Sequence, residues 1–163
     1  MSYPKLLGAL AMGLIAAALS SAQTPDFTGT WQMDAAKSQV ADGRTLALNI
    51  EAPANKLKVT TTIRNKGGTD KTAQFTCGTD GKECEFDEGG HKSKVSMWYL
   101  GPALNVCKTD GPAGDVVNMW KLERSGDGKG LTLTVTHIDP STAPETIAFT
   151  KGAALSAAAS PKN

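Results

Sequence analysis

Apolar and polar residues alternate along most of the chain, and this alternation predicts β-strands. The first clear run covers residues 26–33, in which Phe27, Gly29, Trp31 and Met33 fall on one side and threonines and glutamine on the other. A period of two residues places alternate side chains on opposite faces of a strand. Similar runs recur roughly every 8–15 residues, which is the spacing of all-β proteins.

The runs predict an antiparallel up-and-down β-barrel. There are about nine of them, separated by short turns rich in Gly, Pro, Asn and Asp. Short connections favour a meander, and one apolar face per strand fits a sheet of about 8–10 strands wrapped around one interior. The residues Asp34-Ala35-Ala36-Lys37-Ser38 predict one short helical turn after the first strand, capped by Asp34.

The N-terminal residues predict export. Lys5 is followed by an apolar run, Leu6 to Leu19, and then by the small residues Ser20-Ser21-Ala22. This order is typical of a signal peptide, and the run is too short to cross a bilayer as a helix. We expect cleavage after Ala22 and a periplasmic or extracellular protein; an uncleaved membrane anchor is the alternative.

Three segments follow from this interpretation: a signal peptide at 1–22, a barrel domain at 23–151, and a disordered tail at 152–163 rich in Ala and Ser. The mature chain keeps 16 basic residues, one fewer than the 17 of the full chain, against 16 acidic ones. This balance gives no electrostatic reason to expect nucleic acid or an anionic membrane as a partner. We also expect no membrane insertion after signal cleavage.

The three cysteines are compatible with one disulfide bond. Cys77 and Cys84 flank Asp80-Gly81, a strong signal for a two-residue hairpin turn. A hairpin folded there would place the two cysteines opposite each other, at bonding distance. An oxidising compartment permits the bond, with reduced thiols as the alternative. The acidic segment Glu83 to Gly90 predicts a loop or a short edge strand.

The Gly29-Thr30-Trp31 motif on the first strand resembles the opening motif of lipocalin-like (calycin) barrels. With the residues after Trp31, it also resembles small exported bacterial proteins of unassigned function. The resemblance implies that Trp31 plugs the closed end of the barrel and that an arginine from the last strands packs across it. Arg124 matches that arginine, so Gly29, Trp31 and Arg124 are the expected barrel-closing residues. The long C-terminal helix of lipocalins has no counterpart in this sequence.

The alternation also predicts the interior of the barrel. The inward apolar positions are Trp31, Met33, Leu48, Ile50, Val59, Ile63, Phe75, Met97, Tyr99, Leu104, Trp120, Leu133, Val135, Ile147 and Phe149. Tyr99, Asn118 and His137 bring polar groups to these faces, and a buried polar group needs a partner, which a strand, a water or a ligand can supply. The candidate ligand-binding residues are Trp31, Met97, Tyr99, Asn118, Trp120 and His137. Packing in the core alone would also explain each of them.

The sequence carries no pattern of catalysis, so we do not expect an enzyme. His91 and His137 lie in no recognisable motif, and the chain contains no Gly-x-Ser-x-Gly. The acidic residues between Asp80 and His91 lack the spacing of a calcium loop, so we expect no metal site and no cofactor. Cys107 has no neighbours in sequence that indicate a low pKa.

Two functions fit this sequence. The first is an exported barrel that binds a small, mainly apolar molecule in its interior. The second is a packed barrel that acts through its outer surface, either as a structural protein of the cell envelope or as an inhibitor of an exported protease. Trp98 points outward by alternation and is a candidate anchor for a protein partner. A void inside the barrel favours the first function, and a solid core with an apolar patch around Trp98 favours the second.

Overall fold

The computed structural model describes residues 24–40, 43–88, 90–110, 115–138 and 141–152. The predicted signal peptide, and the predicted tail beyond residue 152, lie outside these ranges. The described residues form ten strands, which are β1 (Gly29–Met33), β2 (Thr45–Glu51), β3 (Lys56–Arg64), β4 (Lys71–Gly78), β5 (Asp80–Glu88), β6 (His91–Leu100), β7 (Ala103–Asp110), β8 (Asp115–Arg124), β9 (Gly130–His137) and β10 (Glu145–Lys151). Within the described ranges, no helix is long and apolar enough to cross a membrane.

All ten strands belong to one antiparallel sheet, which rolls into a nearly closed barrel. The strand order is β4-β3-β2-β1-β10-β9-β8-β7-β6-β5, so each strand pairs with its neighbours in sequence except across β4 and β5, and β1 also pairs with β10. In that last pair Trp31 lies opposite Lys151, and Met33 opposite Phe149. The predicted up-and-down barrel is therefore confirmed.

The barrel is closed by side chains between β4 and β5, the two ends of the sheet order; we call this gap the seam. No backbone ladder joins the two strands among the residues described. Instead, Cys77 and Cys84 form a disulfide bond with their Cα atoms 5.6 Å apart. The rings of Phe75 and Phe86 also meet across the seam, with centroids 5.5 Å apart. Covalent and aromatic contacts thus replace the missing hydrogen bonds.

Local predictions around the seam need correction. Asp80 is already paired with Trp98 of β6, and the register shifts between Asp80 and Glu83. Gly81, with φ of +80°, therefore lies in an irregularity of β5 and not in a two-residue hairpin turn. The disulfide forms although the turn differs. The acidic segment predicted as a loop or a short edge strand belongs to nine-residue β5, at one end of the sheet order.

The predicted helical turn after the first strand is a simple turn. The amide N–H of Lys37 donates to the carbonyl oxygen of Asp34 over 3.1 Å. The Asp34 carboxylate accepts the N–H of Ala36 over 3.2 Å, as a cap would, but no helix follows among the described residues. Gln39 instead bridges to Thr146, which draws the chain along β10.

Most of the interior is apolar, as the alternation predicts. Every predicted inward apolar residue is buried in the core or packs against it. Phe27, before β1, is also buried, at 1% exposure. Burying a large apolar side chain contributes about 1.5–3 kcal/mol, so this set supplies a large part of the free energy that stabilises the barrel.

Candidate functional site

Trp31 closes one end of the barrel. Its side chain is fully buried, and its indole Nε1 donates a hydrogen bond to the carbonyl oxygen of Phe27 over 3.0 Å. The ring of Phe27 lies 6.3 Å from that of Tyr99, centroid to centroid. The segment before β1 therefore crosses this end of the barrel and satisfies the one polar group of the buried indole.

Two cations lie against the Trp31 ring. The Arg124 guanidinium carbon is 5.8 Å from its centroid, and the Lys151 ammonium nitrogen is 5.7 Å away. Arg124 also donates to the carbonyl oxygens of Asp26 and, over 2.6 Å, Gly128. These contacts place the predicted barrel-closing pair, Trp31 and Arg124, side by side at the closed end.

Glycines make these close approaches possible. Gly128 has a φ of +70°, and a Cβ atom there would lie 2.6 Å from Nη2 of Arg124. Gly29 has a φ of +130°, and a Cβ atom there would lie 3.1 Å from Cε of Lys151. Any larger residue at either position would push one of the two cations away from Trp31.

The carboxylate of Asp26 brings a negative charge to the closed end, near Arg124 and Lys151. Its carboxylate accepts the backbone N–H of Thr28 over 2.9 Å. Hydrogen bonds from the Thr28 backbone and side chain, and then the charges of Arg124 and Lys151, hold the pKa of Asp26 below its usual value. Burial, with a smaller effect from Asp26, raises the pKa of Tyr99. The tyrosine therefore stays a neutral hydroxyl at this end.

The opposite end contains a cavity of about 240 Å³. It opens where β2, β8 and β10 begin and where β3, β7 and β9 end. The lining residues are Arg44, Leu46, Thr61, Ile63, Ala73, Phe75, Phe86, Lys108, Asn118, Trp120, Leu133, Val135, His137, Glu145 and Ile147. Most of these side chains are apolar, and the deepest ones, such as Leu133 and Ile147, are each 1% exposed. A pocket lined mainly by apolar side chains with a few polar groups is typical of a small-molecule site.

Three aromatic rings form one wall of the cavity. Phe75 lies 5.5 Å from Phe86 and 6.1 Å from Trp120, measured between ring centroids and with tilted planes. The Lys108 ammonium nitrogen lies 5.5 Å from the Phe86 centroid. The aromatic wall therefore extends from Phe86 and Phe75 at the seam to Trp120 on β8. The Lys108 ammonium lies against the Phe86 ring.

The polar groups form a rung near the mouth of the cavity. Asn118 of β8 lies directly opposite Lys108 of β7 on one side and His137 of β9 on the other; we call these three residues the polar rung. One rung deeper, Trp120 lies opposite Val135. The wall of the cavity thus changes from polar at the mouth to apolar two residues further in along each strand.

Two further features mark the mouth. Oδ1 of Asn118 is buried and has no hydrogen-bond partner, a state that costs roughly 1–3 kcal/mol when nothing compensates it. Arg44, just before β2, forms an ion pair with Glu145 at the start of β10, with side-chain exposures of 25% and 20%. This ion pair ties the chain before β2 to the rim of the cavity.

The predicted ligand-binding residues divide between the two ends. Asn118, Trp120 and His137 line the cavity, whereas Trp31, Met97 and Tyr99 do not. Trp31 and Met97 are fully buried in the closed part of the core. All six lie on inward faces, but alternation gives only the face of a strand and not the depth of a residue along the barrel.

Sequence reasoning did not select Arg44, Phe86, Lys108 or Glu145. Lys108 falls on the same face as Leu104 and Val106, so its inward direction was visible in the alternation. Phe86 lies among acidic residues of β5, so the sequence around it did not indicate an inward aromatic side chain. Arg44 and Glu145 stand at strand ends, and the pairing of β1 with β10, together with the bridge from Gln39 to Thr146, brings them together.

Other reactive groups lie away from the cavity. Cys107 has no disulfide partner, and burial, with a smaller effect from Glu83, raises its pKa. A raised pKa makes the thiol a poor nucleophile near neutral pH. Within the described ranges, no group of three or more potential metal ligands comes together.

Comparison with solved structures identifies the fold. No protein-family model matches the chain, and no curated protein matches it. A fatty acid transporter, REP1-NXSQ, is similar with a TM-score of 0.57 and 13% identity over 77% of this chain and 96% of that one. Secretory abundant heat soluble protein 4 from Ramazzottius varieornatus gives a TM-score of 0.58 and 13% identity, over 77% and 94%.

Fatty-acid-binding protein 1 from Echinococcus granulosus gives a TM-score of 0.54 and 16% identity, over 78% of this chain and 98% of that one. At these identities the likeness concerns the fold alone. The chain therefore folds as a β-barrel of the calycin type, in the form seen in fatty-acid-binding proteins.

Proposed function

We propose that this protein is exported and binds a small, mainly apolar molecule in the cavity, without catalysis. The observation that carries the proposal is the void itself, since a wall of buried apolar side chains surrounds about 240 Å³. An engineered apolar cavity of about 150 Å³ binds benzene. The larger cavity here suits a molecule with about one and a half times the volume of benzene. One of the similar structures is named as a fatty acid transporter and another as a fatty-acid-binding protein, which supports an apolar ligand.

The void favours this function over a packed barrel that acts through its outer surface. The apolar patch needed for the second function would surround Trp98. That side chain is half-buried, and the large apolar side chains exposed in the described ranges are instead Leu100 and Ile138. Leu100 shares the outward face of β6 with Trp98, two residues away, whereas Ile138 follows β9. The exposed apolar surface beside Trp98 is therefore small in the described ranges.

Export is supported by the Cys77–Cys84 disulfide, because such bonds persist in oxidising compartments. Cell fractionation followed by N-terminal sequencing of the purified protein tests it. A mature chain that begins at Gln23 in the periplasm or the medium is the expected result. A cytoplasmic protein that retains residues 1–22 would contradict it.

Native mass spectrometry of the protein from its own source, followed by organic extraction, tests the binding function. A small molecule that is retained in the folded state and released on unfolding is expected. A variant with a filled cavity, Ala73→Trp, should lose the molecule, because Ala73 lines the void. Thr72→Trp is the matched control, since Thr72 is exposed on the opposite face of β4. A clean apo mass, together with no binding of fatty acids, quinones or haem, would contradict the proposal.

A further inference from the structure

We infer that the Cys77–Cys84 disulfide is a redox switch on the cavity: the bond keeps the seam closed and the ligand retained, and its reduction by a dithiol opens the seam and releases the ligand. The inference rests on the proposed binding function and adds a means of regulating it. Because thiols stay reduced in the cytosol, the chain would become able to retain a ligand only after export.

The seam is the place where the described part of the barrel can open without breaking a backbone ladder. The other neighbouring strands in the sheet order are joined by antiparallel ladders, whereas β4 and β5 are not. Each hydrogen bond of a ladder contributes about 0.5–1.5 kcal/mol, so separating a paired couple of strands breaks many such contributions at once. Opening the seam instead requires the loss of the side-chain contacts across it.

The disulfide restricts the angle between the two strands of the seam. Only Thr79 separates β4 from β5, and this link joins the strands at the end of the seam far from the cavity mouth. The bonded cysteines lie next to it, with their Cα atoms 5.6 Å apart, close to the about 5.5 Å of a hydrogen-bonded pair in a ladder. Two strands joined at two points keep their direction, whereas two strands joined only through Thr79 can pivot apart.

The cavity borders the seam on the mouth side of the disulfide. Phe75 lies two residues before Cys77 on β4, and these side chains share the inward face. Phe86 lies two residues after Cys84 on β5, and the same holds for this pair. Phe75 and Phe86 both line the cavity, as does Ala73 nearer the mouth. Separation of β4 from β5 would therefore part the two rings and open the cavity wall sideways.

The two sulfurs differ in access, and this difference sets the course of reduction. Cys77 is fully buried, whereas Cys84 is half-buried and follows the exposed residues Lys82 and Glu83. A thiolate of the dithiol therefore attacks Sγ of Cys84; the S–S bond breaks, and Cys77 leaves as a thiolate that takes up a proton. The second thiol of the reductant then attacks the mixed disulfide, which frees Cys84 as a thiol and leaves the reductant as a disulfide. Two electrons and two protons pass to the protein.

The reduced form keeps partners for the buried sulfur. The carbonyl oxygens of Lys82 and Val95 lie 3.4 and 3.5 Å from Sγ of Cys77, so the freed thiol can donate to either. An S–H···O contact is weak, so it satisfies the thiol without replacing the cross-link. Cys107 lies on the outward face of β7, opposite Ser96, and does not compete for either sulfur. We therefore expect two folded states that differ at the seam.

The test measures release of an apolar fluorophore, N-phenyl-1-naphthylamine, by stopped-flow fluorescence with phosphatidylcholine vesicles as the acceptor. The protein carries Cys107→Ala, so that the seam holds its only two cysteines, and it is compared in the oxidised form and after reduction with dithiothreitol. We expect release at least about tenfold faster from the reduced form, since lost contacts act mainly on the dissociation rate. Slow release should return on reoxidation, and hydrogen exchange in the reduced form should quicken first in β4 and β5.

Two pairs of substitutions locate the effect. Cys77→Ala combined with Cys84→Ala should give fast release with or without dithiothreitol. Thr76→Ala combined with Glu85→Ala is the matched control, because these exposed residues adjoin the cysteines on the same strands, and it should keep the response to dithiothreitol. If the cysteine-free variant does not fold, reversible reduction of the chain that keeps both cysteines tests the inference by itself.

The outcomes separate the two proposals. Equal release from both forms, or a bond that dithiothreitol does not reduce in the folded protein, would overturn the inference but leave the binding function. Faster release with uniformly faster hydrogen exchange in all strands would also overturn the inference, because the fluorophore would then leave by unfolding. If the oxidised protein binds neither the fluorophore nor fatty acids, quinones and haem, both the inference and the function are wrong.

Discussion

At one end of the barrel Trp31 is fully buried beneath Arg124 and Lys151, whereas at the other end Trp120 borders a cavity of about 240 Å³. Both ends combine an aromatic ring with a basic side chain. The closed end also has the segment at Phe27, which crosses it and accepts the indole hydrogen bond. The comparison teaches that a crossing segment turns an aromatic residue into a plug at one end, whereas at the other end the same kind of residue forms one wall of a pocket.

Replacing the two tryptophans is the strongest test of this contrast. Trp31→Ala should lower the free energy of unfolding by about 3–5 kcal/mol, because it leaves a cavity in a packed region. Trp120→Ala should cost only about 1–2 kcal/mol, because that ring already borders empty space. Urea denaturation measures both losses. Ligand binding should be weakened more by Trp120→Ala than by Trp31→Ala, because only Trp120 lines the cavity. Equal losses of stability would contradict the contrast.

Removing the disulfide tests whether the seam depends on side chains for closure. The bond closes a short loop, with a sequence separation of 7. Cys77→Ala combined with Cys84→Ala should therefore lower the free energy of unfolding by about 2–3 kcal/mol. Hydrogen exchange should quicken in β4 and β5 before the pair β1 and β10. Cys107→Ala is the control and should leave the seam unchanged; uniform acceleration throughout the barrel would contradict the local role.

Arg124→Met tests the cation at the closed end. The variant loses a cation–π contact of about 0.5–2 kcal/mol and the hydrogen bonds to two carbonyl oxygens. We expect a loss of about 1–2 kcal/mol in the free energy of unfolding, with no change in ligand binding. Arg64→Met breaks an ion pair with Asp70 whose side chains are exposed at 65% and 40%, so it should lower the free energy of unfolding very little. If Arg124→Met lowers the free energy of unfolding no more than Arg64→Met does, the contact between Arg124 and Trp31 does not stabilise the fold.

The smallest expected effect is a pH dependence from Asp26. Its pKa is lowered in the folded state, chiefly by the hydrogen bonds from Thr28, so ionised Asp26 stabilises the fold. This contribution is present above the unfolded pKa of about 4 and is lost as the pH falls through the lowered folded value. Because the group is largely exposed, we expect it to stay below about 1 kcal/mol. Thermal denaturation from about pH 2 to 7 should show that Asp26→Asn is less stable only above about pH 4; a constant difference would contradict this.

Much of the fold follows from the sequence because a period of two residues defines the buried face of each strand. Every predicted inward apolar residue packs in or against the core. The local turns were less predictable. Asp80-Gly81 has the residues of a hairpin turn, but pairing of Asp80 with Trp98 takes it into an irregular strand. A tertiary contact here overrides a local preference.

The candidate site could be predicted only in part. The inward polar residues Asn118 and His137 were visible in the alternation, and both line the cavity. Their depth along the barrel depends on the stagger between strands, which single-strand patterns do not contain. The Arg44–Glu145 pair spans 101 residues and depends on long-range pairing along β10, so no local signal could reveal it.

The pairing of β1 with β10 has a consequence for how the chain folds. Trp31 lies opposite Lys151, and the N–H of Gly152 donates to the carbonyl oxygen of Thr30 over 2.9 Å. The ring of strands therefore cannot be completed until the last strand has been made, and loop-closure entropy opposes that contact until the intervening hairpins shorten the path. Hairpins between strands that are neighbours in sequence should form early. Pairing of β1 with β10 should come last and limit the rate of folding, because it joins the two most distant strands.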